Sequence, residues 1–172
     1  GRTEHEATAT APLTGTTHET AALVTQAGGK GIALRCDHSD DAEVQRTFEK
    51  IFSETDRLDI LVNNAWSGYQ AKQNSKKSGF HTAFWKLPPS HWDSMFHVGV
   101  RSHYVASIYG AAKMVEQQSG LIVHITAGAA QGYASNTAYG VSKVATNRLA
   151  ADMAHELQKF NVTVVGICPD FV

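Results

Sequence analysis

At 172 residues, 42% apolar and 18% charged, the chain is long enough to bury the core of one domain and has the composition of a soluble globular protein. A net charge of −1 offers no attraction for nucleic acid or an anionic membrane surface, and no apolar run reaches the roughly 18 residues that a membrane span requires. The two cysteines, Cys36 and Cys168, each end an apolar run without metal or redox spacing, which reads as buried free thiols in a reducing, cytoplasmic setting.

The first periodic segment opens at Thr16-x-x-Glu19, a capping box ahead of Ala21, Leu23, Val24 and Ala27, and Gly28-Gly29 closes it. A largely apolar run, Gly31–Cys36, follows and reads as a strand. Asp40-x-x-Glu43 then starts a helix whose Val44, Phe48, Ile51 and Phe52 form one stripe. Asp59–Asn63 is the next strand. Residues 66–89 form the one long irregular stretch, and a loop of that length in a compact domain suggests a functional, substrate-side segment.

Beyond Pro88-Pro89, Ser90 can cap one long helix from about Trp92 to Glu116. Its His91, His97 and His103 recur every six residues, which scatters them around the helix in surface or packing roles and aims them at no single metal ion. Leu121–Ile125 is a third strand. A Gly/Ala/Ser-rich loop leads to a last helix beginning near Tyr139, with Val141, Val144, Leu149, Met153 and Leu157 expected inward. Val162–Cys168 is the fourth strand. Near-continuous apolar strands alternating with helices predict an α/β, Rossmann-like, doubly wound parallel sheet whose strands are covered on both faces.

Tyr139 and Lys143 stand four apart on that last helix and so share a face. A phenol ordinarily keeps its proton to about pH 10, and a fixed ammonium beside it favours the phenolate. Placed after a strand and a small-residue loop, the pair is a candidate acid/base site. Both chain ends look unfinished for such a sheet. Residues 1–15 offer no strand and glycine-rich turn to cradle a pyrophosphate, and Val172 directly follows a core strand, so residues 1–172 read as one partial domain of a larger enzyme.

Four motifs in order, Cys36-Asp37, Asn63-Asn64-Ala65, Tyr139-x-x-x-Lys143 and Pro169, each after a strand or opening a helix, give the chain its resemblance to the short-chain dehydrogenase/reductase family. Arg101–Tyr104 and Ala150–Leu157 look closest to the branch of family member 1 and its bacterial relatives. The resemblance implies an NAD(P)-dependent oxidoreductase acting on a small-molecule carbonyl or alcohol, and a homo-oligomer. Within it, Tyr139 would be the proton donor, and Lys143 would favour the phenolate and bond the nicotinamide ribose. Asp37 would contact the adenine, Asn63 the adenosine side, and Pro169 the region of the carboxamide. Arg2 falls where such enzymes read the ribose substituent, and a guanidinium there tilts the choice slightly toward NADP(H) over NAD(H).

The departures fall in the catalytic parts. Where the family carries Ile-Ser-Ser, this chain has Ile125-Thr126-Ala127, so either Thr126 supplies the hydroxyl or the position is lost at Ala127. His97 replaces a helix asparagine, Trp66 stands where glycine follows Asn-Asn-Ala, and Asp170 follows Pro169. A non-catalytic nucleotide-binding or scaffold protein on the same fold is the alternative these changes leave open. An epimerase or dehydratase using the same Tyr/Lys pair is a third.

Overall fold

The computed structural model describes Thr3, residues 15–68 and residues 82–169. Its centre is a parallel sheet in the order β1 (Ile60–Asn63), β2 (Gly120–Ile125), β3 (Val162–Ile167). Register aligns Leu61, Ile122 and Val164 in one row and Asn63, His124 and Gly166 in the next. Both rows face one helical layer, as the two-residue period of a strand requires. That layer contains α2 (Asp41–Glu54), α4 (Ser102–Gln117) and α5 (Thr137–Leu157). Met114 from α4 and Ala150 and Leu157 from α5 close over Ile122, Val162 and Val164 in the main core. Val44 and Phe48 from α2 meet Val105, Ala106 and Cys36 in a second one. The fold is α/β and Rossmann-like.

Several boundaries obey the local chemistry of the sequence. Thr16 accepts from the Glu19 backbone while the Glu19 carboxylate accepts from the Thr16 N–H, which starts α1 (Thr17–Gln26). Asp40 caps α2 by accepting from the N–H groups of Ala42 and Glu43. No reciprocal box forms there, because the Glu43 carboxylate instead accepts from Arg35 and from the Asp37 N–H.

Several expectations require correction. Gly31–Cys36 is not part of the sheet: among the described residues no strand lies beside it to supply ladder hydrogen bonds. The predicted helix over 92–116 is two. α3 (Pro89–Phe96) starts at Pro89 with Pro88 as its uncapped entry, and the chain kinks through His97–Arg101 before α4. Gly99 sits at the kink with φ 141°, a conformation that favours glycine. Val141 and Val144 point outward and are about half exposed, and Cys168 is exposed rather than buried. The sheet face opposite the helical layer leaves Ile60, Val62 and Ile167 about half exposed among the described residues, although apolar strands of this kind call for cover on both sides.

Candidate active site

The small inward side chains of α5 let the helix approach the kink closely. Thr146 donates to the Ser142 carbonyl one turn back and reaches the Gly99 carbonyl across the interface. The helix begins at Thr137, two residues before Tyr139. Its cap is Asn136, whose carboxamide oxygen accepts from the Tyr139 N–H at 2.9 Å and lies 3.4 Å from His91 Nε2. The first turn, and with it the tyrosine, is therefore fixed by a buried side chain rather than by water.

One turn on, Lys143 is only 7% exposed. Its Nζ lies 5.7 Å from the centroid of the Tyr139 ring and 5.7 Å from that of Trp66, and these two rings are 5.5 Å apart. Burial holds the Lys143 pKa below the usual lysine range. Among the described residues no carboxylate forms an ion pair with it. A phenol beside a buried cation that no described carboxylate neutralises is a geometry suited to moving one proton.

Below the pair lies a buried polar floor. Asn63, at the end of β1, donates to Ser107 at 3.0 Å. His103 approaches the Ala65 carbonyl through Nε2, and its ring stands 5.5 Å from that of His124. Among the described residues neither nitrogen of His124 has a hydrogen-bond partner, nor does Nδ1 of His103. Burial lowers the His103 pKa to about 3, with His124 and Lys143 adding repulsion, and burial lowers that of His124 to about 4. Both imidazoles are thus neutral at ordinary pH. Sequence reasoning gave His103 a packing role and passed over His124. The signal was a histidine inside an apolar strand, in register with Asn63.

The other expected site residues fall at different distances from this centre. Thr126 is buried at the end of β2, where its hydroxyl donates to the Lys143 carbonyl at 3.3 Å and its N–H to Ile167. Ala127 follows in an extended conformation and offers no side-chain donor. Asp37 accepts from the Ser39 N–H and hydroxyl, shaping the turn before α2. His97 is exposed and its Nε2 lies 3.1 Å from the Ser39 carbonyl, on the α2 side. Pro169 is exposed just after β3. Arg2, and Lys72, Lys76 and Lys77 of the 66–89 loop, lie outside the described residues. Of that loop, Trp66 packs at the site, while Phe84 and Trp85 form an exposed edge-on pair.

Residues 4–172 match the family described as short chain dehydrogenase. Dehydrogenase/reductase SDR family member 1 of Homo sapiens is 41% identical over 172 aligned residues, which take in 97% of this chain and 54% of the human protein. The 7alpha-hydroxysteroid dehydrogenase of Escherichia coli (strain K12) is 31% identical over 147 residues, 85% of this chain and 53% of that protein. The chain spans about half the length of the curated relatives it matches. Among solved structures, a 7 alpha-hydroxysteroid dehydrogenase complexed with NADH and 7-oxo glycochenodeoxycholic acid superposes with a TM-score of 0.77 at 29% identity, over 89% of this chain and 56% of its own. A metagenomic short-chain oxidoreductase in complex with NADP gives 0.77 at 24% identity, over 90% and 66%, a likeness of fold.

Proposed function

We propose a carbonyl–alcohol oxidoreductase from one premise: the chain belongs to the short-chain dehydrogenase family. The observation that carries the reading is the Tyr139–Lys143 pair, one helical turn apart, with the ammonium buried against the phenol ring. In the reducing direction the Tyr139 hydroxyl gives its proton to the carbonyl oxygen of a small-molecule substrate. Lys143 favours the phenolate that remains, because its charge is buried and no described carboxylate neutralises it. In the oxidising direction the same phenolate takes the alcohol proton back.

A nicotinamide dinucleotide fits the donor set. A buried ammonium that pairs with no described carboxylate is matched to sugar hydroxyls, and Asn63 ends β1 nearby. When bound, that cofactor supplies or accepts the hydride. Lys143 would hold the ribose, Asp37 and Asn63 the adenosine side, and Pro169 the nicotinamide end. Arg2 tilts the preference slightly toward NADP(H). We take the protein to be cytoplasmic on the strength of its two free thiols. No helix among the described residues is long and apolar enough to cross a membrane. Association of two copies through α4 and α5 suits their exposed apolar side chains.

A second reading, a non-catalytic member of the family, is favoured by one observation: the Thr126 hydroxyl is turned to the Lys143 carbonyl, and Ala127 beside it has none. Following NADPH and NADH consumption by the full-length protein against aldehydes and ketones separates the two. Carbonyl-dependent turnover supports the enzyme. Dinucleotide binding without turnover on any carbonyl supports the second reading.

A further inference from the structure

Trp66 occupies a slot built for it. A methyl group at Gly99 would lie 2.8 Å from the indole Cδ1, and one at Gly68 1.9 Å from its Cζ2, so both neighbours are required to be glycine-sized. The segment carrying the indole is tied down on its other side: Ser67 donates through its N–H to Val98 and through its hydroxyl to Ser94. Clamped this way, the ring presents itself 5.5 Å from Tyr139 and 5.7 Å from the Lys143 ammonium. That second distance lies within the range in which an aromatic face attracts a cation, and the attraction grows when water is excluded.

A buried ammonium normally requires a counter-charge, because desolvation otherwise drives off its proton. Lys143 forms no ion pair with a described carboxylate. The titratable groups facing it are Tyr139 on its own helix and His103 on α4, with His124 of β2 behind His103. Neither histidine is an anion at any pH of interest. Among the described residues, what remains beside the cation is two ring faces. We propose that Trp66 is a positioning residue, whose indole face takes the place of a counterion that no described residue supplies, keeping Lys143 charged and seated against Tyr139.

This use of the pair rests on the reading of Tyr139 and Lys143 as the acid/base site; its test does not. In the full-length protein, Trp66 is replaced by tryptophan carrying one to four ring fluorines, which drain the π face while barely changing its size. Lys143 is titrated through the 13C resonance of its ε-carbon, assigned with Lys143→Arg. A Tyr139→Phe background removes the other group that titrates at alkaline pH and keeps its ring. The proton affinity of Lys143 should fall stepwise with each fluorine, by at least about threefold across the series. A packing role would leave it unchanged, and a flat series overturns the proposal whatever the protein's activity. In protein retaining Tyr139, the high-pH limb of carbonyl reduction should move down in the same order. A stepwise titration without any Tyr139-dependent turnover would sink the enzymatic reading and leave the Trp66–Lys143 contact standing.

Discussion

His103 and His124 stand with ring centroids 5.5 Å apart, both essentially without solvent contact, one on a helix and one on the central strand. Burial leaves them neutral, with pKa values of about 3 and about 4 against an ordinary value near 6.5. The unfolded chain therefore binds protons that the folded one refuses, and stability should fall with acidity. The contribution is complete above about pH 6.5. It is lost progressively as the pH drops through 6 and 5 toward the folded values. The unfolding free energy from urea titrations between pH 7.5 and 4.5 should decline by an amount on the order of a few kcal/mol. His124→Val should flatten that decline, and an unchanged slope would show that other groups govern the acid limb.

Gly99→Ala should destabilise the protein by about 1–3 kcal/mol, since it forces a side chain into a positive-φ position and against the Trp66 indole. Denaturation and tryptophan fluorescence check this together. A normal midpoint with an unshifted emission maximum would mean that the kink relaxes without cost.

The kink also shows why some of this fold was legible in the sequence and some was not. The Thr16/Glu19 cap and the strand at Leu121–Ile125 depend on neighbours a few residues away, and pattern reading reaches them. The break at Val98–Gly99 depends on Trp66 and Thr146, which are distant in the chain, so 92–116 reads as one helix. Gly31–Cys36 has the composition of a strand, but a strand exists only where a partner supplies hydrogen bonds. At the site, the spacing of Tyr139 and Lys143 revealed the pair. Nothing local revealed that an indole from residue 66 would share the ammonium, or that His124 would face His103.

Tyr104 and Ile108 of α4 and Val144 of α5 are each about half exposed on the outer side of the helical layer. On the proposed association of two copies through α4 and α5, these side chains would lie in the interface. Sedimentation of the full-length protein should show a dimer that Ile108→Lys dissociates without unfolding. A monomer at high micromolar concentration contradicts the assignment of this face.

Thr126→Val removes a buried hydrogen bond to the Lys143 carbonyl and should cost about 1 kcal/mol of stability while leaving turnover nearly intact. Ala127→Ser places a hydroxyl at the strand end and should raise turnover by at least about tenfold, a fraction of what one oxyanion donor is worth. A roughly 100-fold loss in Thr126→Val would show instead that its hydroxyl turns to the substrate.

The central claim is that Tyr139 transfers the proton, and Tyr139→Phe in the full-length protein tests it most directly. The substitution keeps the ring beside Trp66 and Lys143 and deletes only the exchangeable proton. Carbonyl reduction should fall by about 100-fold or more while dinucleotide affinity stays within about threefold of the parent. Retention of more than about a tenth of the rate, a barrier change below about 1.4 kcal/mol, would contradict the account and assign the proton to another group.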